Sequence, residues 1–474
     1  MLIGRKTEKQ TLVDLLEKEE PQFCVVYGRR RVGKTFLIRE SYNYNFAFQH
    51  TGVANGNTKQ QLSTFRDSLR NAGLAKCRLP KDWFEAFQML SELISLLPAG
   101  KKVIFIDELP WMDTPRSGLV SALEHFWNAW ITSRKEKDVV LVVCGSATSW
   151  ISKNILHNHG GLYGRVTERI FLQPFCLQEC EQYAKMSGLE MERLDVAIGY
   201  MVLGGIPYYW NYLEHSLSLS QNIDRLFFSD DAKLKNEFDA LYKSLFKNPA
   251  PYMAVVTALG TKKVGMTRDE IILQTKMSDS GELSRVLDDL ELCGFIRSYV
   301  SFGKKTKGTL FQLIDNFTLF YFQFIANKSV HDPNYWSNKF STNEVSTWMG
   351  LAFERLCLLH VQQIKKALGI SGISAEVCSW SAKATDVHKG VQIDLIINRS
   401  DNVINLCEMK FSMGKYRVTK ELIESLQTKQ SIFRQLTKTR RAVHLTLVTS
   451  NGVTHEGCYW GKLQQEICLE DLFN

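Results

Sequence analysis

A chain of 474 residues is too long for one hydrophobic core, so roughly three or four domains are expected. With 45% hydrophobic and 23% charged residues the composition is that of a folded globular protein. No apolar run reaches membrane-span length, which excludes a membrane partner and points to a cytoplasmic location. The net charge of +8 permits nucleic-acid binding without requiring it. Eleven cysteines with no Cys-x-x-Cys pair argue for reduced thiols and against disulfides or zinc.

Residues 1–20 open with Leu2-Ile3-Gly4-Arg5 and an amphipathic helix carrying Leu12, Leu15 and Leu16. The apolar run Phe23 to Tyr27 reads as a buried parallel strand. Gly28, Arg29, Arg30, Arg31, Val32, Gly33, Lys34 and Thr35 follow, in the pattern G-x-x-x-x-G-K-T, and Phe36 begins a helix. Strand, glycine-rich loop and helix make a phosphate-binding loop. Backbone N–H groups and the helix N-terminus wrap a phosphate, Lys34 reaches the β- and γ-phosphates, and Thr35 ligates Mg²⁺. The cofactors implied are ATP and Mg²⁺.

Residues 43–80 read as polar and irregular, with a helix around Gln61–Leu69. Asp82 to Leu97 reads as a helix, and Lys102 to Ile106 as an apolar strand ending in Asp107-Glu108. Asp107 is placed to hold the Mg²⁺ shell and Glu108 to polarise the attacking water. Ser117 to Ser133 is a further helix, and Val139 to Cys144 a fully buried strand ending in Gly145-Ser146. The alternation predicts a parallel α/β sheet covered on both faces.

Downstream, Pro251–Leu259, a helix capped at Thr267 and one beginning at Ser280 precede two strands, Phe295–Phe302 and Thr309–Ile314. Their joining loop carries Lys304, Lys305 and Lys307. Three helices and a basic hairpin read as a winged helix, with Ser284, Arg285 and the three lysines as candidate DNA contacts. Asp315–Val330 reads as an aromatic core helix, and 331–346 as a linker. Trp348–Leu368 reads as one long helix bearing Glu354. Strands at 376–380, 391–397 and 403–410 follow. Alternation puts Glu408 and Lys410 on one face, where Asp394 from the neighbouring strand can join them. Asp394 and Glu408 could then ligate Mg²⁺, with Lys410 stabilising charge on phosphorus.

The order of these motifs resembles the AAA+/STAND ATPases, and within them the archaeal-type ATPases. That resemblance implies an adenine-side role for Leu2 to Arg5 and a sensor role for Ser146 toward the γ-phosphate. It gives Arg165, in Gly161-Leu-Tyr-Gly-Arg-Val, a positive charge for that phosphate, in cis or across a homo-oligomer interface of the ATPase domain. Gly204-Gly205-Ile206-Pro207 resembles the G-x-P of a helical lid, which brings Pro207 to the nucleotide. Asp394, Glu408 and Lys410 resemble the D…E-x-K signature of PD-(D/E)XK nucleases, although Ile393 replaces the usual proline. Glu354 matches the helical acid that some of them add.

The expected architecture is α/β: a P-loop AAA+-like parallel sheet (1–172) with helical lid (173–245), then a winged helix (246–330), then an α/β restriction-endonuclease-like domain (347–474). The expected function is an ATP-binding and hydrolysing switch acting on DNA, with a Mg²⁺-dependent nuclease-like C-terminal domain. The alternatives are an ATP-dependent DNA-binding regulator, or a protein-interaction switch, whose nuclease-fold domain is inactive.

Overall fold

The computed structural model describes residues 2–157, 160–303, 308–326, 328, 331–386, 389–455 and 462–474. Lys304, Lys305 and Lys307 therefore lie outside the described residues. The chain divides into two compact units, Met1–Pro174 and Phe175–Asn474. Among the described residues no helix is long and apolar enough to cross a membrane.

The first unit is built on five parallel strands: β1 (Gln22–Tyr27), β2 (Phe48–Thr51), β3 (Lys102–Asp107), β4 (Val139–Gly145) and β5 (Glu168–Phe171). Their order across the sheet is β2-β3-β4-β1-β5. β3 and β4 are buried at every position, as strands covered on both faces must be. The chain runs outward from β1 to β2, returns through β3 and β4, and then passes β1 to reach β5. The reversal of direction falls beside β1, and open α/β sheets bind ligands at the strand ends next to such a point.

The polar reading of 43–80 is corrected by β2. Its Phe48 and His50 are buried while Gln49 and Thr51 are exposed. A four-residue strand with only one strongly apolar side chain gives no hydrophobic run. Burial lowers the His50 imidazole to about 4, and its Nδ1 lies 2.9 Å from Ser68 Oγ.

The second unit begins with helices Leu177–Met186, Arg193–Leu203, Pro207–Trp210, Leu219–Phe227 and Glu237–Leu245. A three-helix module follows, Ala250–Gly260, Arg268–Thr275 and Gly281–Leu292. It carries an antiparallel sheet of β6 (Met266–Thr267), β7 (Ile296–Tyr299) and β8 (Leu310–Leu313), ordered β6-β8-β7. Thr267 and Glu270 form the expected capping box of the second helix. On the third helix Asp289 turns inward to accept from the Tyr252 hydroxyl at 2.6 Å, so that acid does not face solvent.

The C-terminal sheet contains β9 (Ala375–Ala382), β10 (Val391–Arg399), β11 (Val403–Lys410), β13 (Ala442–Thr449) and β15 (Gln465–Cys468). Its order is β15-β13-β11-β10-β9, antiparallel from β9 to β11 and parallel from β11 to β15. A small parallel pair, β12 (Tyr416–Val418) and β14 (Val453–His455), lies apart from it. Helix Lys420–Thr437 precedes β13, and its Ile423, Leu426 and Phe433 join the sheet core.

Two expectations fail here. The interval 331–346 is not a bare linker: Tyr335–Lys339 is helical, with Trp336 fully buried. Asp224 holds that short helix, accepting from the N–H groups of Trp336 at 2.7 Å and Ser337 at 3.1 Å. Trp336 in turn meets the rings of Phe320, Phe324 and Trp348 edge-on. Nor is Trp348–Leu368 one helix. A helix runs Asn343–Leu359, capped by Thr342, and a second runs Val361–Ala367.

His360 makes that break. Its Nε2 accepts from the Leu177 N–H at 3.1 Å, so the ring proton sits on Nδ1 and is donated to the Leu356 carbonyl at 2.8 Å. Burial brings the ring from 6.5 down to about 4. The folded state therefore resists a proton that the unfolded chain accepts. This contribution is whole above pH 6.5 and fades as pH falls toward 4, to a total of about 3 kcal/mol. The stability difference between wild type and His360→Leu, read by urea unfolding, should shrink over that interval. A constant difference would exclude the neutral, doubly bonded ring.

Candidate functional sites

The phosphate-loop residues stand between the end of β1 and helix Lys34–Ser41. Gly28 has φ 143°, and a Cβ there would lie 2.4 Å from the Leu172 carbonyl oxygen. Leu172 N–H donates to the Tyr27 carbonyl at 2.8 Å, which brings that backbone so close. Only glycine fits. Gly33, at φ 91°, turns the chain into the helix. Lys34 is buried and curls back over the loop, donating to the carbonyls of Gly28 at 3.0 Å and Arg29 at 2.9 Å. Arg29 is buried, the Arg30 guanidinium lies 5.8 Å from the Trp111 ring, and Phe36 is largely exposed. Arg31 adopts φ 72° in the loop and Val32 is buried.

Thr35 Oγ1 donates to Asp107 Oδ2 at 2.9 Å. The other Asp107 oxygen accepts from the Cys144 thiol at 2.6 Å and from the Glu108 N–H at 3.0 Å. Burial and then the Asp107 charge push the Cys144 thiol far up, which keeps it a donor. Glu108 has φ 48°, a left-handed conformation with a strain cost. Its Oε2 accepts from both the N–H and the hydroxyl of Ser146, each at 3.0 Å. The structure thus brings together Lys34, Thr35, Asp107, Glu108 and Ser146. Hydroxyl and carboxylate oxygens 2.9 Å apart are hard donors that suit Mg²⁺, and the loop N–H groups suit phosphate. Cys144 was missed, because a cysteine inside an apolar strand reads as core. Arg165 is exposed, with its N–H on the Leu162 carbonyl at 3.1 Å. Pro207 belongs to the second unit, at the first turn of helix Pro207–Trp210.

The second cluster lies in the second unit. Leu395 pairs with Cys407 in the antiparallel register of β10 and β11, so Asp394 and Glu408, one residue beyond, stand opposite each other on one face. Glu408 bonds Lys410 at 2.8 Å through one oxygen and Lys429 at 2.7 Å through the other. Burial works to raise the Glu408 carboxyl; the two lysines overcome it and hold it below the usual range. Burial likewise opposes the Lys410 charge, and Glu408 outweighs it. Glu354 bonds Lys263 at 2.7 Å, and burial and then the Asp394 charge raise its carboxyl. Gln392 donates to Asp394.

Asp394, Glu354, Glu408 and Lys410 therefore share one electrostatic neighbourhood. Among the described residues, no group of three or more His, Cys, Asp or Glu side chains is set to hold a metal ion. A cation at Glu408 would have to displace a lysine. Lys263 and Lys429 were not legible, since each arrives from an element far away in sequence.

Residues 2–213 match the family described as an ATPase domain predominantly from Archaea. The chain is 24% identical over 447 residues to the uncharacterized protein MJECL04 of Methanocaldococcus jannaschii, covering 91% of this chain and 92% of that one. Among solved structures it is similar to the Walker-type ATPase PABY2304 of Pyrococcus abyssi, at 15% identity and TM-score 0.46, over 67% of this chain and 95% of that one. The ORC2 protein of Aeropyrum pernix gives 14% identity and TM-score 0.39, over 66% and 91%.

One consequence of the loop geometry is measurable. Gly28→Ala drives a methyl group into the Leu172 carbonyl, and the first unit should lose about 2 kcal/mol or more in urea unfolding. A neutral substitution would show that β1 and β5 part easily there.

Proposed function

We propose that the protein is an AAA+-type switch that binds and hydrolyses ATP and acts on DNA through its second unit. The observation that carries this reading is the meeting of Thr35 with Asp107 and of Ser146 with Glu108 at the ends of adjacent parallel strands. ATP with Mg²⁺ would supply the phosphoanhydride and the charge that neutralises its oxygens. On this reading Gly28 to Phe36 hold the phosphates, and Lys34 leaves its two carbonyls for the terminal phosphates. Thr35 and Asp107 are the metal side. Glu108 orients water, Ser146 senses the terminal phosphate through Glu108, and Arg165 supplies positive charge toward it.

The second unit is read as a helical lid, a winged helix and a nuclease-like domain. Three helices over the β6-β8-β7 sheet support the winged helix. The placement of Asp394, Glu408 and Lys410 on a mixed sheet, with Glu354 on helix Asn343–Leu359, supports the nuclease-like domain, with Asp394 and Glu408 as its metal carboxylates. A second reading keeps that domain as a DNA-binding module without cleavage. The two lysines occupying Glu408 favour it.

Lys34→Ala should lose nucleotide binding or turnover, and Glu108→Gln should keep ATP yet turn it over at least about tenfold more slowly. Intact turnover in both would overturn the ATPase assignment of these residues. DNA cutting with Mg²⁺ or Mn²⁺ that disappears in Asp394→Ala, with ATP turnover kept, selects the nuclease reading. Binding of DNA without any cutting selects the module.

A further inference from the structure

We propose that Arg297 and Arg355 form a phosphodiester-binding site beside the Glu354 and Asp394 carboxylates, which takes a DNA strand along the groove over Lys262, Ser301 and Gln392. The inference takes from the proposed function only that the ligand is DNA. It needs neither cleavage nor metal.

Arg355 follows Glu354 on helix Asn343–Leu359 and is 5% exposed. One Nη donates to the Lys263 carbonyl, while its Nε and other Nη have no hydrogen-bond partner among the described residues. A buried N–H without an acceptor costs about 1–3 kcal/mol, and here it belongs to a cation. Arg297, on β7, is half-buried, lies 4.7 Å from the Tyr299 ring centroid and gives its Nε to Gln312 at 2.7 Å.

The two guanidiniums act on each other. Burial, and then the like charge of Arg355, bring Arg297 down to about 10. Burial lowers Arg355 as well. Neither makes an ion pair with Asp394 or Glu354 among the described residues, although both feel Asp394. Around the site, among the described residues, five cations, Lys263, Arg297, Arg355, Lys410 and Lys429, meet three carboxylates, Glu354, Asp394 and Glu408. The excess is two positive charges. An anion satisfies it, and a planar guanidinium with free N–H groups suits the paired oxygens of a phosphodiester.

The neighbouring groove, about 530 Å³, makes the anion a strand rather than a lone phosphate. Lys383 lines it and adds positive charge beyond one phosphate, Lys262 lines it paired with Glu270 at 2.5 Å, and Ser301 adds a donor. Gln392 lines it too and also reaches Asp394, which joins the groove to the acids.

The test is fluorescence anisotropy of labelled DNA of ~20 nucleotides, single-stranded and duplex, in EDTA without nucleotide, over a salt series. Arg297→Gln should bind at least about tenfold more weakly than wild type, with a salt slope lower by about one unit. Arg355→Lys, which keeps the charge and loses the fork, should also weaken binding. Unchanged circular dichroism and ATP turnover would show that both variants fold. Wild-type affinity in both variants overturns the site, and so does binding lost only when Lys304, Lys305 and Lys307 are neutralised. Inorganic pyrophosphate that competes as well as DNA, phosphate for phosphate, overturns the strand in favour of a free anion. Failure to cut DNA with Mg²⁺ would sink the nuclease reading alone and leave this result standing.

Discussion

Asp107 is the group on which the first unit turns. It is a buried carboxylate, and a buried charge is tolerated only when its oxygens are bonded. Three donors from three places supply those bonds: the Thr35 hydroxyl after the phosphate loop, the Cys144 thiol from β4, and the N–H of Glu108. The sheet order makes this feasible, because β3 and β4 are neighbours and β4 lies against β1. Every other feature of the candidate nucleotide site follows from it. Bonding to the next N–H goes with the left-handed turn at Glu108, and that turn presents the Glu108 carboxylate to Ser146 at the end of β4. Parallel strands with a common C-terminal edge convert a distant sequence spacing into a cluster a few bonds wide.

The second unit uses charge differently. Two of its acids, Glu354 and Glu408, are paired with lysines that come from other segments: Lys263 from the turn before β6, Lys429 from helix Lys420–Thr437. The three-helix module is thereby tied to the C-terminal sheet. Phe302 N–H donates to the Ser379 carbonyl at 2.8 Å, extending the hairpin onto the edge strand β9, and the Phe302 ring packs on Phe433 at 5.1 Å. An uncovered edge strand invites pairing with other chains, and this contact occupies part of it.

How much of this was legible follows from periodicity. Strands β1, β3 and β4 are continuous apolar runs ending in chemically distinctive residues, so both their type and the meeting of those ends at one edge of the sheet could be read. β2 could not, because His50 is buried by a bond to Ser68 rather than by its own apolarity. The helix at Tyr335–Lys339 escaped for a similar reason. Its stability rests on Asp224, 112 residues earlier, and on stacking around Trp336, neither of which leaves a local pattern. The break at His360 was hidden because Trp348 to Leu368 keeps a helical spacing through it. The register that sets Asp394 opposite Glu408 was partly legible, since alternation gives faces but not pairing.

The two sites also differ in how complete they are. At the phosphate loop the side chains bond to one another in a closed set: Lys34 to its own loop, Thr35 to Asp107, Ser146 to Glu108. Such a set can hold its shape without ligand and exchange these bonds for others. Beside Asp394 the set is open. Among the described residues a desolvated guanidinium keeps two nitrogens without acceptors while three carboxylates nearby are engaged by lysines or by Gln392. Folding leaves buried donors unsatisfied rarely, because each costs as much as a hydrogen bond gives. On the proposal made above, the compensation for Arg355 is an anionic acceptor supplied by the ligand.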